Sequence, residues 1–333
     1  EWWSRRLSVE AEGLYWYRFS VLSGEKSTMI TKFYDTPTGR FSPDGSSFQL
    51  TVYSKNFSTP DWIKGSVIYQ IFPDRFCFSG EEKQDIPDDR ILRSDWGGKP
   101  MWKPDSEGRI SQYDYFGGDL RGIEQKLGYL ESLGVGCIYL NPIFEAHSNH
   151  RYDTADYEKI DPILGKEEDF VSLCEAAEKH GIKIVLDGVF SHTGFDSKYF
   201  NLYNTYDTVG AYNSKSSPYF DWYKFISWPD NYHAWWGIKL LPEVIEETPS
   251  YRQYICGENG ILRKWLRCGI SGWRLDVADE LPDVFLDDLR KAVKAENKDA
   301  IIIGEVWEDA TTKFAYNQRR RYLLGDQLDS VMN

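Results

Sequence analysis

From residue 67 the chain alternates short, unbroken apolar runs with longer stretches whose apolar positions recur every three or four residues. The runs are "VIYQIF" (67–72), "VGCIYL" (135–140), "IKIVLD" (182–187), "ISGWRLD" (270–276) and "IIIGE" (301–305). Unbroken apolar strands separated by amphipathic helices predict a parallel sheet buried on both faces. Leu120, Ile123, Leu127 and Leu130 form one helical stripe before Gly134, and Phe170, Leu173, Cys174 and Ala177 form another before Gly181. A third stripe runs from Pro282 through Phe285, Leu289 and Val293. Residues 1–58 read differently: "GLYWYRFSVLSG" and "SFQLTVYSKNF" are rich in β-branched and aromatic residues and bounded by turn formers. A sandwich takes about seven strands, so this piece is expected to be the C-terminal part of an N-terminal β-sandwich, with its boundary at "STPDW" (58–62).

Spacing separates regular units from insertions. Asp276 to Glu305 is one ordinary strand–helix–strand step, whereas Asp187 to Asp276 spans about three times that length. An inserted domain is therefore expected after the third strand, over residues 193–250, between a first barrel part (59–192) and a second (251–333). Its composition is aromatic and polar with little helical period, and long insertions at strand C-termini usually serve function.

Composition narrows the classes. The 52 acidic and 39 basic residues give a net charge of −13, which opposes contact with a phosphate backbone. No nucleic-acid partner is expected. No apolar run reaches the roughly 20 residues that span a bilayer, so no membrane partner is expected either. Five scattered cysteines without Cys-x-x-Cys spacing argue against a disulfide framework and a zinc site. A cytoplasmic location is favoured over secretion, although the first residue is Glu1, not Met, and leaves room for a removed signal peptide. Thirteen Trp and 22 Tyr exceed ordinary core needs, and flat rings with polar tips suit sugars or protein interfaces.

Three strands end in carboxylates: Asp187, Asp276 and Glu305. In a parallel α/β barrel the strand C-termini build the active site. Two chemistries fit: a magnesium site of the enolase kind, or glycoside hydrolysis by a carboxylate pair. "GWRLDVADE" (272–280) helps to decide. Residues two apart on a strand share a face, so Arg274 and Asp276 emerge together while Trp273, Leu275 and Val277 occupy the other side. A fixed cation beside Asp276 favours its ionised form, which suits a nucleophile.

"DGVFSH" (187–192), "GWRLDVADE" and "GEVW" (304–307) resemble three of the four consensus regions of the α-amylase family of retaining glycoside hydrolases. "VIYQIFPDRF", "YFGGDLRGI" and "SNHRYDTADY" are similar to its neopullulanase, cyclomaltodextrinase and maltogenic amylase subgroup. The resemblance implies a (β/α)8 TIM barrel preceded by a carbohydrate-binding-like sandwich, and an α-glucan substrate cleaved at α-1,4 and also α-1,6 links. It makes Asp276 the nucleophile and Glu305 the general acid and base, about 5–5.5 Å apart, with Arg274 orienting Asp276. His150 and Tyr152 would hold the sugar on the non-reducing side, His192 would bond the same sugar, and Asp187 would shape the pocket. A homodimer through the N-terminal domain is implied as well.

Three positions depart from the subgroup. "LPEVI" (241–245) replaces the usual Met-Pro-Lys-Leu-Asn, Ser191 stands where Asn is usual, and "RFCFSGEEK" lacks the Asn-rich calcium loop of some relatives. Gly117 and Asp119 match two calcium-site positions, but two positions do not make a site, and no metal or other cofactor is expected to be required. Five full strands and the start of a sixth in "LDSVMN" are visible where a barrel needs eight. The expectation is an incomplete barrel cut at both ends, inactive or poorly soluble alone, with the family's His-Asp pair beyond Asn333.

Other readings stay beside this one: a transglycosylase using the same intermediate, a catalytically silent glucan-binding relative, and a chelator-sensitive metalloenzyme. His180 is expected to serve a helix C-terminus, His147 and His233 the surface or loops, and "RRR" (319–321) a solvated helix end. Glu258 and Asp279 are read as solvated or capping groups. Trp222, Trp228, Trp235 and Trp236 are read equally as sugar platforms or as the insertion's core.

Overall fold

The computed structural model describes residues 4–34, 36–84, 86–88, 90–104 and 112–332. The chain divides into two compact units, Glu1–Ser58 with Glu308–Gln327, and Thr59–Trp307 with Leu328–Asn333. In the first unit Gly13–Tyr17 pairs antiparallel with Phe48–Val52, and Phe19–Ser23, Lys26–Lys32 and Gly39–Phe41 form a three-stranded antiparallel sheet. Residues 308–327, expected within the barrel, group here instead. The Ser54 N–H donates to the Leu324 carbonyl (2.7 Å), Gln49 donates to Thr311 (3.2 Å), and Arg319 lies over the Trp16 ring. The "RRR" stretch accordingly begins within a short hairpin strand, Gln318–Arg319, rather than ending a helix.

The second unit is built on a six-stranded parallel sheet whose spatial order follows the sequence: Val67–Ile71, Val135–Leu140, Lys183–Gly188, Gly272–Leu275, Ile301–Glu305 and Ser330–Met332. This curled sheet is an incomplete TIM barrel. The sixth strand begins within "LDSVMN", and Asn333 lies outside the described residues. Side chains alternate across the sheet. Cys137, Val185, Ile301 and Ile303 cluster on one face with Trp62, Ile63 and Met332. Ile138, Leu140, Ile184, Leu186, Trp273, Leu275 and Ile302, of opposite parity, are also buried, so both faces are covered as the unbroken runs require.

The predicted stripes are all buried, with one change of form. Leu120–Ser132 is two short helices, Leu120–Gln125 and Leu127–Ser132, broken at Lys126. Glu167–Lys179 and Asp283–Glu296 are single helices that bury their stripes. Gly134 and Gly181, with φ of 76° and 69°, end the helices before the second and third strands in a left-handed conformation that suits glycine.

The long excursion after the third strand contains little regular structure. Phe225–Ser227 pairs with Asn231–Tyr232, and helices Pro249–Cys256 and Ile261–Arg267 lead back to the fourth strand. Between them, aromatic side chains supply the core. Tyr199 packs on Tyr219, Trp222 and Tyr254, and Phe200 packs on Tyr212, Tyr223, Phe225 and Tyr232.

Candidate active site

Sheet register brings the strand-end charges to one level. Asp187 is paired with Arg274, and Arg274 with Ile303. Leu275 is paired with Gly304, so the next residues, Asp276 and Glu305, fall side by side. Arg274, 5% exposed, is the hub. Its Nη1 donates to Asp187 Oδ1 and Asp276 Oδ1, both at 2.8 Å, and its Nη2 lies 2.9 Å from Glu305 Oε2. The guanidinium fork expected to orient Asp276 holds Asp187 and Glu305 as well, which a point-charge ammonium could not orient in the same way.

The strand ends at Leu275, and this corrects the expected face of Val277. Val277 takes φ of 45°, an outlier for a β-branched residue, and leaves the strand to line the cleft. The turn aims its N–H at Glu305 Oε2 (3.0 Å), while the Asp276 N–H donates to the Gly188 carbonyl (3.0 Å). The Glu305 carboxylate is thus tied to the backbone of the turn, and the main chain of Asp276 to the third strand.

Three carboxylates share one guanidinium, so the group carries excess negative charge when fully ionised. Burial first, then the charge of Asp187, outweighs Arg274 and pushes the Asp276 carboxyl up to about 8, with Glu305 adding to the rise. Arg274 favours the ionised form of Asp276, as expected, but burial and Asp187 outweigh it. Burial also raises Asp187. Such a cluster retains a proton near neutral pH, and the proton belongs to the cluster rather than to one residue.

Asp187 lies beneath the cleft, 1% exposed, rather than in its wall. Besides Arg274 it accepts from Tyr139 Oη (2.5 Å) and Tyr152 Oη (2.9 Å). Asn141 donates to the Tyr152 hydroxyl (3.0 Å) and is itself held by Gln70 (2.8 Å). Tyr139 and Gln70 were not singled out in the sequence, although each is a polar-tipped residue within an apolar strand, which is the available signal. The two candidate histidines are held neutral. His150 Nδ1 accepts the Tyr152 N–H (3.1 Å), so its proton sits on Nε2, 2.6 Å from Gln112 Oε1. His192 Nε2 donates to the Tyr152 carbonyl (3.1 Å), which fixes the tautomer, and its Nδ1 accepts from Ser191 Oγ (3.0 Å). Burial lowers His150 and takes His192 down to about 4.

These groups line a cleft of about 970 Å³ that holds His150, Tyr152, His192, Arg274, Asp276 and Glu305. Trp235, one of the four tryptophans read as a platform or as core, lines its wall, as do Gln112 and Trp307, which the sequence does not mark; Gln112 lies in an irregular stretch with no periodic signal. A second groove, of about 860 Å³, contains Lys83 and Asp119 and none of the strand-end carboxylates. The residues around Asp119 do not fit a calcium ion. One carboxylate oxygen caps a helix by accepting from the Gly122 N–H (2.6 Å), and the other accepts from Ser79 Oγ (2.7 Å) and pairs with the Lys83 ammonium. An ammonium already occupies the cation's electrostatic role. Among the described residues, no cluster of three or more His, Cys, Asp or Glu is arranged to hold a metal, and no helix is long and apolar enough to cross a membrane.

Of two other histidines, His147 differs from expectation and His180 sits at its helix C-terminus as expected. His147 is not a free loop residue: its Nε2 lies 3.3 Å from Asp196 Oδ2 and its ring stacks on Phe195. His180, after the helix Glu167–Lys179, pairs with Glu131 (2.7 Å). The tryptophans divide. Trp222 is 3% exposed and belongs to the insertion's core, Trp228 donates to the Ala211 carbonyl, and Trp235 lines the cleft beside His192.

The α-amylase catalytic-domain family matches residues 70–333. An amylopullulanase from Thermoanaerobacterium saccharolyticum is 40% identical over all of this chain and 28% of its own length. Neopullulanase 2 from Thermoactinomyces vulgaris is 38% identical over 84% of this chain and 44% of its own. The chain thus spans less than half the length of these relatives. Among solved structures, the cyclic α-maltosyl-(1→6)-maltose hydrolase of Arthrobacter globiformis superposes with a TM-score of 0.68 at 34% identity, covering 83% of this chain and 56% of that one.

Proposed function

The chain belongs to the α-amylase family, and from that premise we propose that the protein it represents hydrolyses α-1,4 and α-1,6 glucosidic bonds in α-glucans with retention of configuration. One observation carries the proposal: a single buried guanidinium binds Asp187, Asp276 and Glu305 at one end of the sheet. Asp276 attacks the anomeric carbon while Glu305 delivers its proton to the leaving oxygen. The bond to the leaving sugar breaks as the ester to Asp276 forms. Water then attacks the same carbon, Glu305 takes its proton, and the ester breaks. Two inversions return the α-anomer.

Each remaining part has a task in this scheme. Negative charge at Asp276 is most useful when the anomeric carbon becomes cationic, so the cluster stabilises the transition state more than the ground state. Tyr152, gripped by Asp187 and Asn141, presents a fixed ring for a sugar face, and neutral His150 and His192 border the cleft without adding charge. The names of the relatives, amylopullulanase and neopullulanase, support glucans carrying both linkages. Maltooligosaccharides, cyclodextrins and pullulan are the substrates to try. The same reading includes independence from metal, supported by Lys83 on Asp119, and a cytoplasmic site of action, supported by five free cysteines. It also includes a homodimer through the first unit, to be checked by sedentation-equilibrium mass with residues 4–58 deleted from the full-length protein.

The test is proton NMR of a defined maltooligosaccharide during its first turnover by the full-length protein, with Asp276→Asn as control, repeated in EDTA. An early α-anomer that the substitution abolishes and EDTA spares is expected. An early β-anomer overturns retention through Asp276, no product indicates a silent glucan-binding relative, and loss in EDTA overturns metal independence.

A further inference from the structure

Three helices of the second unit, Pro249–Cys256, Ile261–Arg267 and Asp283–Glu296, pack against one another and together line a pocket of about 320 Å³. None of the strand-end carboxylates reaches it. Each helix contributes one cation: Arg252, Arg263 and Lys291 all face the pocket, against a single carboxylate, Asp288. In a chain of net charge −13, a concave site with a surplus of two positive charges reverses the sign of the molecule as a whole.

Pairing within the pocket leaves that surplus unanswered. Arg252 Nη1 donates to Asp288 Oδ2 at 2.7 Å and Lys291 reaches Oδ1 at 3.5 Å, so two cations share one carboxylate. Glu296 feels the charge of Arg263 but bonds instead to Arg267, at 2.9 Å to each oxygen. The Nε atoms of Arg252 and Arg263 are both buried, and neither meets a hydrogen-bond partner among the described residues. A buried N–H without an acceptor is destabilising, and two beside one pocket call for a shared acceptor. The rest of the wall adds no charge. Burial pushes the Cys256 thiol up, which keeps it neutral. Gln253 lies against the backbone of Gly257, where a Cβ would come within 2.4 Å of Gln253 Nε2, so glycine is what admits the amide there.

We infer that this pocket binds the phosphate dianion of a sugar phosphate. Guanidinium forks match phosphate oxygens in geometry, and a surplus of two positive charges matches a phosphate monoester, which carries about −1.5 to −2 at pH 7. The volume falls within the roughly 300–1,000 Å³ of small-molecule sites, more than a lone phosphate group needs. The Gln253 amide, both donor and acceptor, suits the hydroxyls of an attached sugar. No cleft residue takes part, so the site stands apart from the hydrolytic reading.

Isothermal titration calorimetry of the full-length protein at constant ionic strength is the test, with glucose 1-phosphate and inorganic phosphate as separate titrants. Saturable binding of glucose 1-phosphate is expected, weakened at least about tenfold by Arg263→Gln. Lys291→Gln, at a side chain 76% exposed, should weaken it about threefold and gives the same reading if Arg263→Gln does not fold. Asp288→Asn should instead tighten binding about threefold, because it removes the carboxylate that opposes the ligand, and a merely structural role would not give the opposite sign. Binding that the two cation variants leave unchanged, or that Asp288→Asn weakens, overturns the pocket, and so does the lack of saturable heat from either titrant. Inorganic phosphate bound as tightly as glucose 1-phosphate supports the phosphate site and overturns the part assigned to the sugar. Because binding is read as heat, a protein that hydrolyses no glucan would overturn the proposed function and leave this measurement intact.

Discussion

The strand-end cluster and the inserted segment flank the same cleft but are held by opposite means. In the cluster, backbone pairing fixes positions first: Asp187, Arg274 and Ile303 share a register, and the charged side chains inherit their meeting point from it. In the insertion there is little ladder to inherit. Tyr199, Phe200, Trp222 and their partners pack ring against ring, and isolated bridges such as His192 with Glu243 and Ala234 with Pro242 fasten the segment to the barrel and to itself. Charged groups that must meet within hydrogen-bond distance are placed on the sheet, and the aromatic wall beside them on the part that side-chain packing defines.

The contrast can be broken most forcefully at Arg274. Arg274→Met leaves three carboxylates around an uncompensated site, and a loss of about 3–5 kcal/mol in urea unfolding is expected, together with loss of turnover. A change below about 1 kcal/mol would mean that the sheet, not the ion cluster, holds this end of the barrel.

Asp276→Asn should act in the other direction. A carboxyl raised from 3.8 to about 8 in the folded protein binds more protons folded than unfolded, so its burden on stability is absent below pH 4 and grows as pH rises toward 8. The asparagine variant should therefore be inactive yet more stable, with an advantage in Tm that widens between pH 5 and 8. A constant difference across that range would remove the proton from the cluster.

The smallest effect is expected in the insertion. Trp222→Phe keeps most of the buried ring but removes the indole bond to Ser250 Oγ (3.0 Å), for a cost of about 1–2 kcal/mol. The pH dependence of activity should not move. A shift in that profile would show that the insertion's core and the cluster are one network rather than two.

What could be read from the sequence follows the same division. The five apolar runs, the three strand-end carboxylates and the buried helix stripes were legible because strand and helix periods are local. Arg274 was legible as a cation beside Asp276, but its hold on Asp187 and Glu305 depends on register between strands, which no local period carries. Val277 was assigned to the wrong face because a left-handed turn in a β-branched residue has no sequence signature. The first helical stripe did not reveal its break at Lys126. The tryptophans of the insertion could not be sorted into core and surface, since ring packing without a ladder leaves no periodic trace. Residues 308–327 looked like barrel by position alone and join the first unit through contacts made far along the chain.

The left-handed turn at Val277 also acts as a spacer. Because the N–H of residue 277, immediately after Asp276, grips Glu305, main chain joins the Arg274 guanidinium in setting the gap between the two carboxylates. A gauge made of backbone is indifferent to most replacements at position 277, with proline the exception because it has no N–H to offer. The dimension on which retention or inversion depends is in this way insulated from ordinary side-chain drift, while the neighbouring walls stay free to change what they recognise.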